Sequence, residues 1–183
     1  MIGVIHTTKV KATRCGHIYS VVATKATPNG TAGFVGDLVS GEKELRDFAL
    51  PSSGTKTNGG VVFIATPELM YGQDTTASGA LRNFTNPAKA PMVAIPVEAG
   101  DELEISADLI EALSTDPAKG NFLKLKEDSG KLEEVNSGSE PTEQGFYAKI
   151  NYVYPSFTSS YVDGAGTKVE KGYNLVHITI VKN

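Results

Sequence analysis

Hydrophobic positions along the chain fall into short runs, and two of these runs stand apart. Val61-Val62-Phe63-Ile64-Ala65 and Met92-Val93-Ala94-Ile95-Pro96-Val97 are almost continuously apolar. Runs of this length, bounded by Gly and Pro, predict buried strands. A long polar excursion separates them. It contains Gly72 and Gly79, and Leu81 and Phe84 are its large apolar anchors. Thr66-Pro67-Glu68 carries a helix-start pattern, with Thr66 as N-cap and Pro67 at the first helical position, and Gly72 as its stop. After the second run, Glu98-Ala99-Gly100-Asp101 predicts a tight turn between antiparallel strands. Glu102-Leu103-Glu104-Ile105-Ser106 then alternates, with Glu102 and Glu104 on one strand face and Leu103 and Ile105 on the other.

The rest of the chain supplies more strands of the same short kind. Residues 17–24 and 33–39 are rich in apolar and β-branched side chains, and Thr27-Pro28-Asn29-Gly30 marks a turn between them. Residues 44–50, with Leu45, Phe48 and Leu50 as buried members, fit a strand or one helical turn. Residues 107–113 fit a two-turn helix, because Leu109, Ile110 and Leu113 share a face, or a further strand. Residues 122–126 and 131–135 flank a Glu127-Asp128-Ser129-Gly130 turn at hairpin spacing. Residues 146–154 alternate, which places Phe146, Ala148, Ile150, Tyr152 and Tyr154 on one face. Residues 156–172 are rich in Ser and Gly and weakly patterned, and residues 173–181 form a strong final strand. Residues 1–16 fit an edge strand or an extended arm. The expected fold is mainly β. It is a single antiparallel β-barrel or sandwich-like domain over residues 17–183, with long loops, one or two short helices and a candidate N-terminal arm over residues 1–16.

Composition narrows the function classes. The 183 residues carry a net charge of −4, with basic pairs such as Lys9 and Lys11 diluted among neutral residues. Nucleic-acid binding and a polybasic membrane tether both need a clustered excess of Lys and Arg, so neither is expected. No apolar run approaches the ~20 residues that span a bilayer. The first residues lack the pattern of a secretory signal. One cysteine, Cys15, permits no intramolecular disulfide and fits a reducing compartment.

Candidate chemistry is sparse. Cys15 and His17 stand two apart, a spacing that in a strand merely shares a face, and no orienting Asn or Asp accompanies them. His6, His17 and His177 are too widely spaced for a recognisable zinc pattern. Glu102 and Glu104 read as an exposed acidic edge. Asp163-Gly164-Ala165-Gly166 lacks the Lys-Ser/Thr of a phosphate loop. Tyr147, Tyr152, Tyr154 and Tyr161 are candidates for stacking on sugars or on a partner, or for packing in the sheet. No catalytic, cofactor or metal site is expected.

One resemblance adds to this reading. Its residues are Asn29-Gly30, Gly33-Phe34-Val35-Gly36-Asp37-Leu38, Gly41-Glu42, the Val61–Tyr71 stretch, Leu81-Arg82-Asn83-Phe84-Thr85-Asn86 and Gly100-Asp101, with a weaker echo in Gly145-Phe146-Tyr147-Ala148-Lys149-Ile150. Over residues 29–110 the chain resembles the capsid decoration, cement or head proteins of tailed bacteriophages with HK97-type capsids. The resemblance implies a non-enzymatic virion protein, made in the bacterial cytoplasm. It would sit as a homo-oligomer on the outer surface of the shell, with the major capsid protein as partner. Avidity would add up its weak contacts, and an N-terminal arm could pair with a capsid sheet edge. Lys9 and Lys11 near the N-terminus, and Arg82, Phe84 and Lys89 in the excursion, are the candidate partner-binding residues. Two rival expectations are a tail-tube or head–tail adaptor subunit, and a carbohydrate-binding module that uses the tyrosines.

Overall fold

The two continuous apolar runs are strands with both faces covered, and the fold is arranged around them. In the computed structural model, residues 3–67, 84–136, 144–155, 159–162 and 168–183 are described, without the side chains of Thr8 and of residues 159–162 and 168–171. The runs become β5 (Val62–Ile64) and β6 (Pro91–Pro96), which join β2 (Tyr19–Val22), β3 (Ala32–Leu38) and β4 (Leu45–Ala49) in a closed five-stranded barrel of order β2-β4-β3-β5-β6. Val62, Ile64, Met92 and Ala94 fill this barrel together with Val21. The alternate residues Val61, Phe63, Ile95 and Val97 point the other way, into a larger core shared with a second sheet. A strand buried on both faces needs apolar residues at every position, which is why these two runs do not alternate.

The second sheet has seven strands. They are β1 (Ile5–Lys9), β7 (Glu102–Ser106), β8 (Ile110–Glu111), β9 (Phe122–Leu125), β10 (Leu132–Val135), β11 (Tyr147–Pro155) and β14 (Asn174–Lys182), in the order β1-β7-β14-β11-β9-β10-β8. Leu103, Ile105, Ile150, Val176, Ile178 and Phe146 line its inner face against the barrel. Phe63 of the barrel meets Phe146 of the sheet with ring centroids 5.8 Å apart. Burying two such rings at one interface stabilises the pairing of the layers by several kcal/mol, at ~25 cal/mol per Å² of apolar surface. The backbone pair β12 (Ser159–Val162) and β13 (Lys168–Lys171) forms a separate two-stranded sheet in the weakly patterned stretch between β11 and β14.

The mainly β expectation is met, and several local expectations are corrected. The N-terminal stretch takes the edge-strand form rather than that of a free arm. β1 pairs antiparallel with β7, Val4 and Val10 are fully buried, and a short helix α1 (Lys11–Cys15) follows. The Glu98–Asp101 segment is a tight turn, with the Asp101 amide donating to Glu98 O at 3.0 Å, but it joins no hairpin. β6 belongs to the barrel, whereas β7 pairs with β1 and β14. The buried Asp101 carboxylate makes this crossing rigid by accepting the amides of Glu98 at 2.8 Å and Lys11 at 3.0 Å. Residues 107–113 form a single 3-10 turn, Ala107–Leu109, and then β8, which runs parallel to β10. The buried Glu134 carboxylate takes the amides of Leu113 and Ala118 and the side-chain amide of Asn121, so the segment is held out of a helix and Leu113 faces solvent. Thr66 and Pro67, the expected N-cap and first helical position, lie in no helix, and the Thr66 hydroxyl accepts the Val93 amide instead at 3.1 Å; from Glu68 on, the expected helix lies outside the described residues.

β11 holds the correction with the largest consequence. Its pairing with β14 shifts register between Ile150 and Tyr152, a β-bulge with Asn151 as the extra residue. A bulge reverses the in–out alternation beyond it. Ala148 and Ile150 therefore point into the core, and so does Val153, while Tyr152 turns outward and stays 45% exposed.

Candidate functional site

The outer face of the seven-stranded sheet, opposite the barrel, gathers the polar and aromatic residues with chemical potential. Register aligns them in rows across four strands. His6 of β1 stands opposite Glu104 of β7, Glu104 opposite His177 of β14, and His177 opposite Tyr152 of β11. A neighbouring row runs from Lys9 through Glu102 to Thr179. Each of these side chains occupies the strand position that alternates with a core residue, as His177 does between Val176 and Ile178.

The rows are knitted by hydrogen bonds. His6 Nδ1 lies 3.0 Å from Glu104 Oε2, and Lys9 Nζ donates to Glu102 Oε2 at 2.6 Å. Asn151, displaced by the bulge, donates from Nδ2 to Thr179 Oγ1 at 2.7 Å and to His177 Nδ1 at 2.9 Å. With Nδ1 accepting, His177 carries its proton on Nε2, which faces Glu102 Oε2 at 3.3 Å. The His177 ring stacks on Tyr152 with centroids 4.6 Å apart and planes 10° from parallel, and Tyr154 lies 5.5 Å beyond Tyr152.

Electrostatics follow from these contacts. The hydrogen bond from Lys9, assisted by its charge and by His177, holds the Glu102 carboxyl below its ordinary range against the opposing effect of burial. Burial pushes the Glu104 carboxyl up, but hydrogen bonds from His6 and Tyr154 outweigh it and leave the group below its ordinary range. The Tyr154 phenol is pushed well above its ordinary value, by burial first and by its bond to Glu104 second, so its hydroxyl stays a donor. Lys9 and Lys11 are both raised, first by their hydrogen bonds to Glu102 and Glu98. The face thus presents two ionised carboxylates, an ammonium, a fixed imidazole and two phenols. That is recognition chemistry: acceptors, donors and ring surfaces held in fixed directions.

The candidate residues named from sequence divide between two places. Lys9 belongs to this face, and Lys11 sits beside it in α1, paired with Glu98 at 2.6 Å. Phe84, half-buried, and Lys89, exposed with a left-handed φ of 60°, lie on the return path of the excursion toward β6. Arg82 lies outside the described residues. Among the described residues, no interaction links Lys9 or Lys11 to Phe84 or Lys89. The return path is anchored by a buried polar clamp. The Asn29 side chain donates to Thr66 O at 2.8 Å and accepts the Thr66 amide at 3.1 Å, as a strand would. Asn86 Nδ2 donates both to Asn29 Oδ1 at 3.1 Å and to Thr27 O at 2.9 Å. One residue, Asn29, therefore ties together both ends of the polar excursion.

The remaining sequence candidates separate. Cys15 is exposed, and His17 turns to the Tyr19 hydroxyl at 3.1 Å, so the two make no pair. Tyr147 is buried, the Tyr161 side chain lies outside the described residues, and so does the 163–166 motif. Sequence reasoning missed the convergence of His6 and His177 on Glu104 and Glu102. The available signal was a lone polar residue at an outward strand position; the register that unites them is long-range. Among the described residues, no group of three or more His, Cys, Asp or Glu is placed to hold a metal ion. No protein-family model matches the chain, and no curated protein or solved structure is detectably similar to it.

Proposed function

We propose that this protein is a non-enzymatic structural component of a tailed-bacteriophage virion, a decoration protein bound to the outer surface of the assembled major capsid shell. The observation that carries the reading is where the residues of the sequence resemblance fall. Asn29 clamps the excursion, Gly30 (φ 80°) packs its backbone against Leu109 and Val4, and Gly100-Asp101 makes the crossing from barrel to sheet. The resembling segment thus encodes the joint of a two-layer block and the stem of its longest connection. A rigid block with a contact segment on a fixed stem suits many weak, repeated contacts that add up by avidity. Arg82, Phe84 and Lys89 are the proposed shell contacts on that connection, and Lys9 and Lys11 those beside β1. The test is co-sedimentation of the purified protein with shells of the major capsid protein from the same genome. Saturable binding is expected, with Arg82→Ala/Phe84→Ala weakening it more than it lowers the melting temperature. Absence from purified virions together with no shell binding would overturn the reading.

The β12–β13 pair favours a second reading. A hairpin between the two longest strands is a common device for bridging subunits in a ring, as in a tail-tube or adaptor subunit. Rings or tubes formed by the isolated protein in negative-stain images would select this reading over decoration.

A further inference from the structure

We infer that the outer face of the seven-stranded sheet, centred on Tyr152, is a binding site for a neutral saccharide. The bulge at Asn151 is what exposes the ring. Without it, Tyr152 would share the core side with Ile150. The ring is held in one orientation by its stack on His177 and is flanked by Tyr154, yet 45% of the residue remains accessible. A fixed, half-exposed aromatic surface is the element that the C–H face of a pyranose packs on. Rigid rings also bind at low entropic cost.

The open valences around that ring decide the class of ligand. Among the described residues, no hydrogen bond or ion pair engages the Tyr152 hydroxyl, Asn151 Oδ1 or Glu102 Oε1; the bonds of Glu102 to Lys9 and His177 both use Oε2. The exposed Lys9 ammonium donates to Glu102 and keeps further donor capacity. Acceptors and donors are therefore interleaved beside an aromatic surface. A guanidinium or ammonium ligand only donates and would meet Lys9, while an anionic ligand would meet Glu102 and Glu104. A neutral polyol, whose hydroxyls both donate and accept, matches the whole set.

Backbone amide NMR titration with maltose, cellobiose, lactose and diacetylchitobiose tests the inference, with a glucuronic-acid disaccharide as the anionic contrast. Saturable millimolar binding of at least one neutral sugar is expected, with shifts at Asn151, Tyr152, Tyr154 and His177. Tyr152→Ala is expected to weaken binding roughly tenfold, and Tyr152→Phe to retain most of it. If Tyr152→Ala lowers the melting temperature, Tyr152→Leu keeps the apolar bulk and removes the ring. The inference fails if no neutral sugar shifts these amides saturably, if the anionic sugar binds as well, or if loss of the ring leaves affinity unchanged. Lys9, on the edge strand β1, is the one residue of this face that is also a proposed shell contact, so shell co-sedimentation by Tyr152→Ala is expected to be intact. If it is lost, the face belongs to the shell contact and the saccharide assignment is overturned.

Discussion

The barrel and the seven-stranded sheet share one core but obey different rules. The barrel has no edges, and its β5 and β6 are buried on both sides, inward on Val62, Ile64 and Met92 and outward on Phe63 and Ile95. The sheet has two edges, one apolar face and one polar face. Its edge strand β1 is blunted by a register shift between His6 and Lys9 and by the Lys9–Glu102 pair, features that discourage pairing with another strand. The comparison separates two roles. In β5 and β6 nearly every position serves a core, whereas β7, β11 and β14 divide alternate positions between the core and surface chemistry.

That division can be broken in a graded way. The largest effect is expected at the joint, where Phe63→Ala removes the barrel's ring against Phe146. It is expected to cost about 3–5 kcal/mol in urea unfolding and to loosen both layers together. If only one layer loses amide protection, barrel and sheet are separate folding units. A smaller effect, confined to the barrel side, is expected from Asn29→Ala. That change leaves the Thr66 amide and the Asn86 side chain without their buried partner, at a cost of about 2–3 kcal/mol. Hydrogen exchange should rise at Thr66 and Asn86 before it rises in β14; uniform loss would show that the clamp has no local role.

The smallest effect belongs to the outer face and is read from pH. Glu102 and Glu104 are held below their ordinary value of 4.5 in the folded chain. The unfolded chain therefore binds protons at these groups first as pH falls. Their stabilising contribution is complete above the ordinary carboxylate range and is lost as pH falls through the lower folded values. Glu104→Gln should flatten this part of the stability curve between pH 6 and pH 3, by about 1 kcal/mol or less. A variant curve parallel to that of the wild type would mean that His6 and Tyr154 do not stabilise the ionised carboxylate.

Much of this fold was readable from local pattern. The alternation of 102–106 and 173–181, the hairpin at 122–135 and the two buried runs all follow from period and turn residues, and each became the expected strand. What stayed hidden depends on partners distant in the chain. The parallel pairing of β2 with β4, which closes the barrel, leaves no local mark. The Gly100-Asp101 turn has hairpin chemistry whether or not the strands it joins pair with each other. Glu102 and Glu104 were recognisable as one face, but His6 and His177 meet them only through register. Residues 107–113 have a helical spacing that Glu134, from another strand, overrides.

The bulge at Asn151 gives β11 two reading frames. From Ala148 up to it, the even-numbered residues Ala148 and Ile150 belong to the interior; beyond it Val153 does, and Tyr152 stands outside. A strand that kept every residue but ran without the bulge would carry the first frame through, with Tyr152 and Tyr154 rotated toward the barrel and Val153 toward water, although no letter of the sequence would be changed. Deleting Asn151, by contrast, takes out the extra residue and leaves Tyr152 opposite His177 on the outer face. When related chains are compared, the aromatic face should therefore survive the loss of position 151, while the bonds that Asn151 makes to His177 and Thr179 should not.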